Sequence, residues 1–201
     1  MIDSTAFFDT QFRHQIETQE FVLNPFEQAA LPYLKGSLLD LGCGLGNLAL
    51  EAGRRGCEVL ALDASPAAVE RINRDAAVEN LKIQAVTADL ENHEIKGDYD
   101  TVVSIGLLMF FPRDQAIRLL HTLQDHVKEG GTAIVNVLVD GTTYLDMFRE
   151  GHYTLFGRDE LEQCFAGWDV QSSRNDVFDA PSGTCKCFST VIACKPAPDL
   201  Q

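Results

Sequence analysis

The chain has 201 residues, 45% hydrophobic and 23% charged, with a formal net charge of −14. That size fits a single domain, 1–201, with a full core, and the acidic balance speaks against a nucleic-acid partner, which calls for cationic patches. No apolar run approaches the roughly 18 residues of a membrane span, and the opening MIDSTAFFDTQF lacks the basic start and apolar centre of a secretion signal, so no membrane partner and a cytoplasmic location are expected.

Residues 1–36 read as a helical leader. Phe7, Phe8 and Phe12 cluster early, and a helical pattern runs through Ile16, Gln19 and Glu20 until Asn24-Pro25 breaks it. A second helix is predicted over 25–34 with Pro25 in its first turn, where the missing N–H costs nothing. Then comes SLLDLGCGLGNLAL, residues 37–50. A short apolar run, 38–41, predicts a buried strand of a parallel sheet. Gly42, Gly44 and Gly46 follow at alternate positions, and a helix is predicted over 47–55, stopping at Gly56.

A second strand, 58–63, ends on Asp63, and Ser65-Pro66 supplies a cap and first turn for a helix whose inward face is Val69, Ile72 and Ala76. A third strand, 83–87, leads into Ala88-Asp89-Leu90, and a fourth, 99–105, into GLLMFF. The next helix is predicted over 114–129, burying Ala116, Leu120, Leu123 and Val127, with Lys128 in its last turn and Gly130 just beyond. A fifth strand covers 132–139. Alternating strands and helices with right-handed crossovers give a doubly wound α/β fold, its sheet mostly parallel. After a short helix at 159–165, strands at 168–178 and 184–194 flank the turn DAPSG and must run antiparallel.

The six cysteines form no C-x-x-C, and no histidine sits at zinc-finger spacing, so reduced, packed thiols are expected and no metal. Cys185 and Cys187, two apart in a strand, share a face opposite to Lys186. The strand-to-helix turn at Gly42 presents free backbone N–H groups and a helix dipole to a ligand. A dinucleotide fingerprint asks for G-x-G-x-x-G/A, but Asn47 stands where its third small residue belongs.

The spacing G-x-G-x-G led by Asp40, with VLALDAS, VTADL, YDTVVSIGLLMFF, FAGW and the closing FSTVIACKP, resembles the class I S-adenosylmethionine (SAM) methyltransferases, and among them the tellurite-resistance methyltransferases. The resemblance implies a Rossmann-like sheet of seven strands with the last reversed. It also implies cofactor roles for Asp40, Gly42, Cys43, Gly44, Gly46, Asp63, Ala64, Asp89, Leu90 and Ile105. In it Asp63 takes the ribose hydroxyls, Asp89 and the Leu90 N–H take the adenine, and Asp40 faces the methionine amino group. Aspartates also end strands in ordinary loops, but three of them fall at strand tips behind this loop.

The tellurite enzymes carry a histidine and arginines in the closing hairpin, whereas NDVFDAPSGTCKCFST offers only Lys186. The expected reaction is therefore in-line methyl transfer to a small, uncharged or weakly polar acceptor, with S-adenosylhomocysteine (SAH) as product. A tellurite- or selenite-type oxyanion and a non-catalytic SAM-binding module remain as alternatives. A base is needed only for a protonated, weak nucleophile. Candidates for chemistry are His152, Tyr153, Arg158 and, from the leader, His14 with Arg13. Met109, Phe110, Asn136, Thr142, Thr143 and Tyr144 are candidate lining, while His121 and His126 are read as solvent-facing helical residues.

Overall fold

The computed structural model describes residues 4–19 and 21–197, with side chains described from residue 8 onward in those spans. Phe7's side chain and Glu20 lie outside the described residues. The strands are β1 (Ser37–Leu41), β2 (Glu58–Asp63), β3 (Ile83–Thr87), β4 (Tyr99–Ile105), β5 (Val127–Leu138), β6 (Asp169–Ala180) and β7 (Thr184–Cys194). They form one sheet in the order β3-β2-β1-β4-β5-β7-β6. Pairing is parallel from β3 through β5, and β7 alone is reversed, antiparallel to both β5 and β6.

Near-continuous apolar strands bury both faces, as a sheet covered by helices on each side requires. One face carries Leu38, Ala61, Val103, Ile134 and Ile192. The helices α2 (Pro25–Ala30), α3 (Asn47–Arg54) and α4 (Pro66–Glu79) lie on it through Ala30, Leu48 and Ile72. The other face carries Leu39, Leu41, Val102, Val135 and Val191. Leu120 and Leu123 of α5 (Arg113–Asp125) and Leu161 of α6 (Glu160–Gln163) cover that one. Ser65 caps α4, its Oγ accepting from Ala68 N–H at 3.3 Å. Strand order reverses between β2-β1 and β4-β5, so the carboxyl ends of β1 and β4 bound a crevice, the usual ligand position in such sheets.

The predicted helix over 114–129 is corrected at its end. It stops at Asp125, and Val127 opens β5 instead, opposite Tyr99. Val127 is still buried, but as a strand residue. Tertiary partners override helix propensity here: Lys128 Nζ reaches Asp100 Oδ2 at 2.9 Å, and Gly130 and Gly131 exchange backbone hydrogen bonds with Lys195. His126 consequently caps the helix rather than lying within it, its Nδ1 2.7 Å from Gly97 O. The second leader helix stops at Ala30, and a 3₁₀ turn, Leu31–Tyr33, follows. Pro32 lacks the N–H that would continue the α-helical ladder. The short helix predicted at 159–165 is trimmed to Glu160–Gln163.

Between β5 and α6 the chain has no regular element, yet it is tied down. Phe156 is fully buried, and Asp140 N–H donates to Phe156 O at 2.8 Å. Thr154 binds the 3₁₀ turn Leu108–Phe110 and the residue after it, N–H to Met109 O at 3.0 Å and Oγ1 to Phe111 O at 2.9 Å. These bonds hang residues 147–153 over the carboxyl end of β4.

Candidate functional site

A cavity of about 700 Å³ opens at the carboxyl ends of β1 to β4. Its floor is the glycine loop. Gly42, Gly44 and Gly46 all hold positive φ (+73°, +51° and +74°), which side chains resist. Space forbids a side chain as well: a Cβ on Gly46 would collide with Ile72, and one on Gly42 would come within 2.9 Å of Leu107. From below, Arg71 holds the loop, donating to Leu45 O at 2.5 Å and Asn47 Oδ1 at 2.8 Å. It is nearly buried, and burial lowers its pKa. Sequence reasoning missed Arg71, because an arginine beside the inward stripe of α4 reads as a surface residue.

Acids line the inner wall. Asp40, near the end of β1, is 5% exposed. Its carboxyl accepts no hydrogen bond among the described residues. Burial first, then the neighbouring carboxyls of Glu27 and Asp63, push its pKa up to about 8. Glu27 arrives from the first turn of α2, where it closes a capping box: Asn24 Oδ1 accepts from Glu27 N–H at 2.9 Å and Glu27 Oε2 from Asn24 N–H at 2.7 Å. Burial raises its pKa too. Asp63 accepts from Gly44 N–H and Ser65 N–H, both at 2.8 Å, which ties the tip of β2 to the loop. Burial still raises it on balance. Cys43 is a buried thiol whose pKa rises through burial and then the charges of Asp40 and Asp63. Sequence reasoning missed Glu27: its place in the capping box was legible, its approach to Asp40 was not.

The leader closes one side. Phe8, Phe12 and Gln15 of α1 (Ser4–Thr18) line the cavity. α1 is fastened to α4 by Asp9, whose Oδ1 accepts from Ser65 Oγ at 2.5 Å. That bond first, and Arg13 second, lower the Asp9 pKa. Across the cavity, rings stand in a chain: Phe8 to Phe110 at 5.1 Å, Phe110 to Phe148 at 5.0 Å, and Phe148 stacked on Tyr153 at 4.8 Å.

The expected site residues divide accordingly. Asp40, Gly42, Cys43, Gly44, Asp63, Ala64, Asp89, Leu90 and Ile105 all line the cavity, while Gly46 sits just behind as the N-cap of α3. Asp89 is exposed and accepts from Glu91 N–H at 3.1 Å and Asn92 Nδ2 at 2.8 Å. Of the candidates for chemistry His152 reaches the cavity, and of the candidate lining Phe110 does, joined by Arg149, which sequence reasoning passed over. Tyr153 stands behind Phe148. His14 is exposed, Arg13 pairs with Asp9 at 2.8 Å, and neither is among the lining side chains.

Arg158 lies beside Gly141 and Cys187, away from the lining. Thr142 and Thr143 bind β7 backbone at Cys187 and Cys185. Met109 is core, and Asn136 is fully buried, donating to Thr190 Oγ1 at 2.8 Å. Cys185 and Cys187 share a side of β7, whereas Lys186 stands over the Tyr144 ring at 4.7 Å. All six cysteines are free.

Residues 38–131 match a family model described as "Methyltransferase domain". "Hemagglutinin 1" of Eikenella corrodens is 29% identical over 79% of this chain and 51% of its own length. "Probable S-adenosyl-L-methionine-dependent methyltransferase TehB" of Haemophilus influenzae is 27% identical over 66% of this chain and 46% of its own. The chain thus spans about half the length of the curated relatives it matches. The crystal structure of Haemophilus influenzae TehB superposes with a TM-score of 0.73 at 21% identity, over 87% of this chain and 62% of that one. The N-methyltransferase NodS from Bradyrhizobium japonicum WM9, solved with SAH, gives 0.73 at 13% identity over 97% and 100%. With this sheet order the chain has the fold of these two structures, and its glycine loop lies in the segment that is similar to a methyltransferase domain.

Proposed function

We propose that the chain is a single-domain enzyme that holds SAM in this cavity and directs its methyl group in line onto a small-molecule acceptor. The observation that carries the reading is Asp40: a buried carboxyl with no donor among the described residues, crowded by Glu27 and Asp63, just before the glycine loop. Such an arrangement is costly unless a cation joins it, and SAM brings an ammonium and a sulfonium. The cavity volume lies within the ~300–1,000 Å³ usual for small-molecule sites.

Bound SAM supplies a methyl group on a good leaving group, so the chain's part is placement and exclusion of water. Asp40 and Glu27 fit the ammonium. Asp63, with two acceptor positions already used by Gly44 and Ser65, retains two for ribose hydroxyls. Asp89 and the Leu90 N–H suit an adenine edge. Phe8 and Phe110 wall off the methyl end, and His152 is the lining imidazole, able to take a proton from an acceptor.

An oxyanion acceptor such as tellurite fits less well. In the closing hairpin Lys186 is committed to Tyr144, and Arg174 to Asp176 at 2.7 Å. Incubation with SAM and a panel of thiols, amines, phenols and chalcogen oxyanions is expected to release SAH with one organic acceptor class and little with tellurite or selenite. SAH binding without turnover across the panel would favour a non-catalytic SAM-binding module instead. A large tellurite tolerance in expressing cells, lost in Asp63→Ala, would reinstate the oxyanion.

A further inference from the structure

Among the described residues that line the cavity, Arg149 is the one arginine or lysine. Seven of the ten arginines pair with carboxylates: Arg13, Arg54, Arg55, Arg71, Arg74, Arg113 and Arg174. Arg149 has no ion pair among the described residues, in a chain of net charge −14 where carboxylates are plentiful. It lines the cavity, whose other lining residues include the acids Glu27, Asp40, Asp63, Asp89 and Glu91. A guanidinium in such a space is attracted to the acids unless the chain holds it elsewhere.

The chain fixes the Arg149 backbone, while the side chain is exposed. Phe148, immediately before, is 7% exposed and wedged between Phe110 and Tyr153. His152 N–H donates to Arg149 O at 3.0 Å, closing a tight turn with Gly151 at φ +74°. Thr154 then fastens the segment to Met109 and Phe111. Arg149 and His152, both exposed, thus come to the cavity from the segment after β5. Phe8 and Phe110 line the same cavity, their ring centroids 5.1 Å apart.

Resting on the SAM reading above, we propose that the acceptor is a planar apolar molecule bearing a carboxylate. Arg149 takes the carboxylate in a forked, charge-assisted contact, and His152 offers a further nitrogen. Phe8 and Phe110 face the apolar body, which keeps the reacting atom between the anionic group and the methyl. The absence of arginine from residues 175–190 had favoured an uncharged acceptor. The cavity draws its arginine from the segment after β5, so that expectation is replaced.

The test is calorimetric titration of 4-mercaptobenzoate and 4-mercaptobenzamide into protein saturated with SAH. The benzoate is expected to bind at least about tenfold more tightly than the amide. Arg149→Gln should erase that difference, Arg149→Lys should keep part of it, and SAH affinity should stay within about twofold in both, the contact being made to the acceptor. Equal affinity of the two probes, or no benzoate binding at millimolar concentration, would overturn the proposal. So would a loss of SAH affinity in Arg149→Gln, which would hand this arginine to the cofactor carboxylate. Failure of the wild type to bind SAH at all would overturn the cofactor reading first, and this inference with it.

Discussion

The two ends of the cavity are built differently. The end under β1, β2 and β3 is made of strand tips, and each acid there follows from a strand, a turn and a helix cap in short sequence order. The end beyond β4 hangs from residues 139–159, which have no helix or strand and depend on Phe156, Thr154 and Phe148 for their position. A frame of regular elements presents backbone groups and acids suited to a constant cofactor. An irregular segment held by a few anchors is free to vary with the acceptor.

The sharpest way to break the first end is Gly46→Val. It forces a β-branched residue into positive φ and into Ile72, costing about 4 kcal/mol from the two effects together. Urea unfolding should show the loss, and SAH binding should vanish with it. A variant as stable as wild type would mean the loop relaxes freely. The second end is broken by Phe148→Ala, which should cost about 3 kcal/mol by cavity formation. In the folded fraction, SAH affinity should hold while acceptor turnover falls. Equal loss of both would deny that the two ends are separable.

Legibility in the sequence followed the same division. Ser65 as a cap, Asp63 at a tip and the reversed β7 were readable because each depends on residues within a few positions. Arg149 was not, because nothing local marks an arginine in a segment without period, and its place comes from Thr154 and Phe148 meeting the turn after β4. Residues 127–129 failed for a related reason. Their helical spacing was sound, but Tyr99, Asp100 and Lys195 recruit them into the sheet, and the sequence near them carries no sign of those partners. Glu27 and Arg71 were visible as residues of their own helices, while their meetings with Asp40 and Leu45 are made by the fold.

A smaller effect sharpens the electrostatic half of the comparison. The Asp40 carboxyl titrates at about 8 in the folded chain and near the ordinary ~3.9 when unfolded. Between those values the folded chain keeps a proton the unfolded chain has lost, so unliganded stability should fall as pH rises from about 4 to about 8. The raised pKa values of Glu27 and Asp63 add with the same sign. Asp40→Asn should flatten the profile measured by urea midpoints, and an unchanged slope would remove Asp40 as its source. A cation prefers the ionised carboxyl, so SAM affinity should rise with pH to about 8, with proton release detectable in buffers of different ionisation heat.

The smallest effect lies away from the cavity. The Lys128–Asp100 pair is half open to solvent, so Lys128→Ala should cost no more than about 1 kcal/mol and leave SAH binding untouched. A larger loss would show that this pair, rather than sheet pairing, draws 127–129 out of the helix.

The central claim, that the acid-lined end is a SAM site, is tested most directly by calorimetric titration of SAM and SAH into wild type and Asp63→Ala. Wild type should bind both with dissociation constants on the order of micromolar. Asp63→Ala should bind at least about thirtyfold more weakly, because the ribose loses a charged acceptor and the loop loses its tie to Gly44. No binding heat from folded wild-type protein at hundreds of micromolar ligand, or equal affinity in the variant, would contradict the account.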